Sequence, residues 1–87
     1  MSPFQSYASD EFWDLYEELP LEIRRAADKQ FALFERNPSH PSLHLKQVGG
    51  LWSARVTEAY RVLALRQENS FYWFWIGSHD EYERLIG

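Results

Sequence analysis

The first half of the chain places apolar residues three and four positions apart. This spacing predicts an amphipathic helix from an N-cap at Ser9 or Asp10 to about Glu18. Pro20 ends that helix and suits the first turn of a second helix, which continues to about Arg36. The apolar positions of the two helices are Phe12, Leu15, Tyr16, Leu19, Ile23, Ala26, Ala27, Phe31 and Phe34. We therefore expect a helical hairpin with one apolar side.

The second half of the chain predicts strands joined by short turns. The expected strands are residues 43–48, 51–56, 60–66 and 71–76. Residues 3–7 are ambiguous and fit a short edge strand, where Pro3 is tolerated. The expected fold is α+β and forms one domain over residues 1–87. A two-helix hairpin packs on one face of a small twisted antiparallel sheet of three to four strands, with a short C-terminal helix.

Hairpin register decides which strand residues share a face, because side chains alternate along a strand. We expect Arg55 to pair with Arg61, and Arg66 with Phe71. One face then lies under the helices and carries Trp52, Ala54, Val56, Tyr60, Val62, Ala64, Phe71, Trp73 and Trp75. The other face carries Ser53, Arg55, Arg61, Leu63, Tyr72, Phe74 and Ile76.

The end of the chain combines a strand end, a helix start and a titratable side chain. Ser78 and Glu81 fit a capping box, which places His79 at the first helical position. Tyr82 follows one turn later. His79 is a candidate for proton transfer, or simply the first residue of a helix. Tyr82 is either a proton donor or a core residue.

Composition limits the range of functions. The net charge is −4, and residues 1–40 hold eight acids and four bases, whereas residues 41–87 hold five of each. This balance argues against a general nucleic-acid binder, although it leaves room for a small basic site. The chain has no Cys, no signal-peptide pattern at the N-terminus and no apolar run that could span a bilayer. We expect a cytoplasmic protein that does not contact membranes.

The expected open face of the sheet offers cations beside aromatic rings. Arg55 and Arg61, with Tyr72 alongside and His79 nearby, would form a pocket for an anionic ligand. RNA cleavage by its own 2′-hydroxyl needs such groups, namely a cation for the phosphate charge and an acid for the leaving oxygen. The same arginines would also suit an ordinary solvated face.

Two histidines lie close together in the segment between the helices and the strands. His40 and His44 flank Pro41-Ser-Leu43. They look like a metal pair, but they are better explained as residues of a loop and a strand start. We expect no metal site and no cofactor.

Four segments of the chain carry a family resemblance. They are Asn37–Leu43, Trp52–Val56, Tyr60–Leu63 and Trp75–Tyr82, in a helix–helix–strands order. The pattern resembles the RelE/ParE superfamily of toxins from bacterial type II toxin–antitoxin systems, and is most similar to its RelE/YafQ-like branch. The resemblance extends from about Phe12 to Ile86 and is most specific at residues 75–86.

The resemblance implies a RelE-like fold and an endoribonuclease that cuts mRNA in the ribosomal A site, without a metal or cofactor. It implies catalytic roles for Arg61, which would hold the scissile phosphate, for His79 as general acid, and for Tyr82 as the residue that orients the nucleotide. The expected RNA-binding residues are Lys46, Arg55, Arg66 and Tyr72.

The resemblance also implies partners and an alternative function. The partners would be a cognate antitoxin, the ribosome and mRNA, and the toxin alone is expected to be a monomer. Active members are commonly basic, whereas this chain is acidic and has Ser53 where a basic residue is expected. The alternative is a binding protein of the same fold without nuclease activity, which inhibits gyrase or only binds an antitoxin.

Overall fold

The computed structural model describes residues 4–87 and arranges them as three helices on the two faces of one sheet. The helices are α1 (Asp10–Glu17), α2 (Leu21–Arg36) and α3 (His79–Ile86), and a 3-10 turn spans Pro41–Leu43. The strands are β1 (Gln5–Ala8), β2 (Lys46–Val48), β3 (Leu51–Thr57), β4 (Tyr60–Gln67) and β5 (Ser70–Ser78). In this part of the chain, no helix is long and apolar enough to cross a bilayer.

The helices begin and end where local chemistry predicts. Ser9 is the N-cap of α1, and its hydroxyl accepts a hydrogen bond from the backbone of Phe12. Pro20 separates α1 from α2, and its fixed backbone angle suits the residue before a helix. Ser78 and Glu81 form the predicted capping box of α3. The predicted helical hairpin and the short C-terminal helix are therefore confirmed.

The sheet has more strands than expected. Its order is β1-β5-β4-β3-β2, so that five strands replace the predicted three to four. The added strand is the ambiguous N-terminal segment, of which Pro3 lies outside the described residues. It runs parallel to β5, with Tyr7 opposite Tyr72, whereas the other pairs are antiparallel. A sheet that was expected to be antiparallel throughout is therefore mixed at one edge.

The first predicted strand after the helices was too long. Leu43 belongs to the 3-10 turn, and His44 has a left-handed backbone with φ 45° and ψ 41°. A strand cannot pass through that conformation, and β2 begins at Lys46.

Both predicted hairpin registers are confirmed, with Arg55 opposite Arg61 and Arg66 opposite Phe71. Two face assignments in β5, those of Trp75 and Ile76, are wrong. The register of β4 with β5 shifts between Leu63 and Ala64, so that Leu63 faces Trp75 and Ala64 faces Trp73.

This shift leaves Phe74 as an extra residue in β5, which is a β-bulge. A bulge reverses the alternation of side chains beyond it. Trp75 therefore lies on the face opposite the helical hairpin, and Ile76 lies beneath the hairpin and is 1% exposed.

The core lies between the helical hairpin and the sheet, on what we call the helix face. α1 packs against β5 and α2 against β3. Buried side chains from both layers fill this core, among them Phe12, Ala27, Phe34, Ala54, Val62, Phe71, Trp73 and Ile76. We call the opposite side of the sheet the open face, and α3 packs there on β4 and β5.

Candidate functional site

The Arg61 side chain is fixed at the turn between β3 and β4. Its Nη1 donates to the carbonyl oxygens of Thr57 at 2.7 Å, Glu58 at 3.2 Å and Tyr60 at 3.0 Å. In the described part of the chain, all its hydrogen bonds use this one nitrogen. The guanidinium is therefore held at one end, and its Nε and Nη2 remain as donors for a ligand.

Arg55 lies beside Arg61, as its direct partner across the hairpin. Burial lowers the pKa of Arg61, and the positive charge of Arg55 lowers it further. Tyr82, Glu83 and Glu58 act in the opposite direction on that pKa. An arginine remains charged at neutral pH even so. A bound anion would relieve the repulsion between the two cations, so the pair is suited to a phosphate group.

His79 begins α3 and is held in two ways. Its backbone N–H donates to the carbonyl oxygen of Ala59 at 2.7 Å. Its ring Nε2 lies 3.2 Å from Oε1 of Glu83, one helical turn later, and both side chains are well exposed. A carboxylate at this position accepts a hydrogen bond from the ring and orients the imidazole. His79 is therefore held in a definite orientation on the open face.

Tyr82, unlike His79, is buried on the side of α3 that packs against the sheet. Its side chain is 3% exposed, and its hydroxyl lies 3.1 Å from Oγ of Ser53, which is itself 1% exposed. The Tyr82 ring centroid is 5.8 Å from that of His79. This hydrogen bond ties α3 to the sheet, so the geometry favours a positioning role for Tyr82 over proton donation.

Two of the predicted RNA-binding residues lie farther out on the open face. Lys46 is opposite Ser53 on the edge strand β2 and is exposed. Tyr72 is 41% exposed and stacks on Tyr7 of β1, with 5.3 Å between the ring centroids and 15° between the planes. Together the two tyrosines form an exposed aromatic platform near the opposite edge.

Arg66 lies away from these residues. Its guanidinium carbon is 4.9 Å from the ring centroid of Phe4, 5.0 Å from that of Trp52 and 5.2 Å from that of Phe71. Its Nε donates to the carbonyl oxygen of Glu68 at 2.8 Å. These contacts place Arg66 on the helix face, and the structure does not bring it together with Arg55 and Arg61.

Sequence reasoning missed two residues of this site. Glu83 is four positions after His79, and that spacing alone was enough to predict the contact on a helix. Ser53 stands where the family resemblance predicts a cation, and its role beneath Tyr82 depends on how α3 docks. Among residues 4–87, no three His, Cys, Asp or Glu side chains are grouped closely enough to hold a metal ion.

Comparisons with known proteins identify the family. The family model of the ParE-like toxin domain matches residues 21–84. A comparison with curated proteins finds no significant match.

Several solved structures share the fold. The RelBE2 toxin–antitoxin complex from Mycobacterium tuberculosis matches with a TM-score of 0.71 and 19% identity, covering 88% of this chain and 99% of that one. The RelB–RelE complex from Methanococcus jannaschii matches with a TM-score of 0.73 and 10% identity, covering 93% and 99%. The YoeB/ParE toxin from Agrobacterium tumefaciens matches with a TM-score of 0.67 and 15% identity, covering 87% and 99%. These similarities support the RelE-like fold, and the family model shows that the chain belongs to the ParE-like toxin domain family of the RelE/ParE superfamily.

Proposed function

We propose that this protein is the toxin of a type II toxin–antitoxin system, and that it cleaves mRNA on the ribosome. The observation that carries the proposal is the convergence of Arg55, Arg61 and His79 on the open face, with Arg61 and His79 both anchored by backbone hydrogen bonds. A protein that acts by contact alone needs no such combination of two cations and a positioned imidazole.

The proposed reaction is cleavage of RNA by its own 2′-hydroxyl. The 2′-oxygen forms a bond to the adjacent phosphorus and loses its proton to water, while the bond from phosphorus to the 5′-oxygen breaks. Arg61 and Arg55 stabilise the negative charge that develops on the phosphate oxygens. His79, oriented by Glu83, gives a proton to the departing 5′-oxygen. Neither a metal nor another cofactor enters this scheme.

The remaining residues hold the helix or the RNA. Tyr82 positions α3, and therefore His79, through Ser53. The exposed Tyr72 can stack on an unpaired base, and Lys46 can contact a phosphate on the other side of the site. Arg66 stays outside the proposed site because its charge rests among three rings of the helix face. The proposal places the protein in the cytoplasm, with translating ribosomes.

A cognate antitoxin is the proposed protein partner. Solved structures of this fold include toxin–antitoxin complexes. We propose that an acidic and apolar segment of the antitoxin covers the open face, where Arg55, Arg61 and the exposed Leu65 lie. The helical hairpin is a poorer site for such a segment, because residues 1–40 hold eight acids and four bases.

Expression in a bacterial host tests the nuclease proposal. We expect the wild type to arrest growth and to generate cleaved mRNA. Arg61→Ala and His79→Ala should each lower cleavage by about 10²-fold or more, as loss of one preorganised transition-state contact does. Arg84→Gln is the matched control, because Arg84 is an exposed cation of α3 outside the site.

Circular dichroism of each variant separates loss of chemistry from loss of folding. If the wild type and both site variants behave alike, whether toxic or inert, the nuclease proposal is wrong. The net charge of −4 favours the second candidate in that case, which is a binding protein of this fold that inhibits gyrase or only binds an antitoxin. Inhibition of DNA supercoiling by the purified protein would identify the gyrase inhibitor.

A further inference from the structure

A second basic surface lies beside the candidate site. A groove of about 750 Å³ runs between α2, the 3-10 turn and the end of β3. Its polar lining comes mainly from Lys29, Gln30, His40, His44 and Arg55. No acidic side chain is among the described residues that line it, although the whole chain carries a net charge of −4. An anion in this groove would meet cations and hydrogen-bond donors.

The turn that forms one wall of the groove is tied to the sheet. Gln30 Nε2 donates to the carbonyl oxygen of Ser42 at 3.2 Å and to that of Arg55 at 2.9 Å. The backbone N–H of Ser42 donates to Nδ1 of His40 at 3.1 Å. Because Nδ1 accepts this bond, the proton of the neutral ring lies on Nε2. His40 therefore keeps an N–H donor without needing a positive charge.

His44 occupies an unusual backbone conformation in the same turn. Its φ of 45° lies in the left-handed region, where side chains are strained, although Asn, Asp and His tolerate it better than most residues. Such strain concentrates at functional sites, because the surrounding structure must hold the residue in place. A glycine would adopt this backbone conformation without strain, yet the residue here is His44, which lines the groove.

Arg55 connects the groove with the candidate site. Its backbone borders the groove, where its carbonyl oxygen accepts from Gln30, and its charge acts on Arg61, its partner across the hairpin. We propose that the groove binds the phosphate backbone of single-stranded RNA next to the phosphate held by Arg61. This inference rests on the proposed function. The shared arginine favours RNA over an acidic peptide, because neighbouring phosphates of one strand would then occupy both surfaces.

Binding of a short 2′-O-methyl oligoribonucleotide, which cannot be cleaved by its own 2′-hydroxyl, tests the inference. Its affinity is measured by fluorescence anisotropy between about 50 and 200 mM salt. Lys29→Gln should weaken binding and should reduce the salt slope by about 0.7, the value for one phosphate contact on a single strand. Arg84→Gln removes the same charge elsewhere and should leave the slope unchanged. Inorganic phosphate at equal concentration should not displace the oligonucleotide.

His44→Gly separates binding from folding. It removes the imidazole and relieves the strained backbone, so the thermal midpoint should stay level or rise while the affinity for the oligonucleotide falls. An unchanged affinity in both His44→Gly and Lys29→Gln would overturn the inference. The inference would also be overturned if these two variants bound an acidic peptide more weakly than the wild type does, but bound the oligonucleotide equally well. That result would indicate a protein ligand.

Arg61→Ala in the same titration keeps this inference distinct from the proposed function. If Arg61→Ala weakens binding and the groove variants do not, the groove inference alone fails. If Arg61→Ala also leaves binding unchanged, the proposed RNA site fails with it. Displacement of the oligonucleotide by inorganic phosphate would show that the groove is a site for free anions, which contradicts a strand-binding surface.

Discussion

The hydrogen bond between Tyr82 and Ser53 offers a direct test of how α3 is held on the sheet. Both side chains are nearly inaccessible to solvent, and their hydroxyl oxygens are 3.1 Å apart. Tyr82→Phe would leave the Ser53 hydroxyl buried without this partner, and Ser53→Ala would leave the Tyr82 hydroxyl in the same state. Each single change should cost about 1–3 kcal/mol, the penalty for an unsatisfied buried polar group.

The double variant should cost less than the sum of the two single variants. Removing both hydroxyls leaves no buried polar group unpaired, which is close to neutral in favourable cases. We therefore expect a coupling free energy of at least about 1 kcal/mol between the two sites, well above the roughly 0.3–0.5 kcal/mol scatter of independent mutations.

Thermal and urea unfolding, followed by circular dichroism, measure these free energies. In a domain of this size, 1 kcal/mol lowers the thermal midpoint by about 4–8 °C, so each single variant should be clearly resolved. The urea m-value should stay constant, because neither change alters the surface exposed on unfolding. If the double variant loses as much free energy of unfolding as the two single variants together, the reasoning is refuted, because the two hydroxyls then do not interact.

Two further predictions concern β5. Ile76→Ala and Trp73→Ala should cost about 2–5 and 3–5 kcal/mol, because both residues are buried on the helix face. Leu65→Ala, at a 52% exposed position, is the control. If Ile76→Ala lowers the free energy of unfolding as little as the control does, the assigned position of the bulge is wrong. Gly77→Ala should destabilise the sheet by about 1–3 kcal/mol, as overpacking does, because the new Cβ would lie 2.5 Å from Cζ2 of Trp75. Trp75→Leu in the same chain should recover part of that loss, and unfolding curves without such recovery would contradict the assigned contact.

Local chemistry explains why the helices and hairpin registers were predictable. Ser9, Pro20 and Ser78 each act through neighbours within a few residues, and their effects are visible in the sequence. The pairing of Arg55 with Arg61 follows from a short connection, which restricts the register.

The features that were missed depend on tertiary contacts. The aromatic run from Phe71 to Trp75 is apolar on both sides of the strand, so no alternation reveals the bulge at Phe74. The parallel pairing of β1 depends on which sheet edge remains open after the other strands have paired. A propensity argument contains no such information.

The candidate site was also predicted only in part, because some of its residues are placed by local geometry and others by tertiary contacts. Arg55 and Arg61 pair as expected, and the His79 N–H contacts Ala59 in the turn of the same hairpin, because hairpin and helix ends have definite geometry. Arg66 is on the helix face, and the confirmed pairing with Phe71 already implies that position. The basic groove was not foreseen, since it depends on how the turn that carries His40 and His44 docks against α2.

Cleavage of mRNA on purified ribosomes tests the central claim most directly. Ribosomes stalled with a defined codon in the A site are incubated with the purified protein, and the mRNA ends are mapped by primer extension. We expect the wild type to cut within the A-site codon and to leave the same mRNA intact without ribosomes, and we expect Arg61→Ala to cut about 10²-fold more slowly or worse. Intact mRNA after incubation with the folded wild-type protein, or cutting at an equal rate by folded Arg61→Ala, would contradict the account.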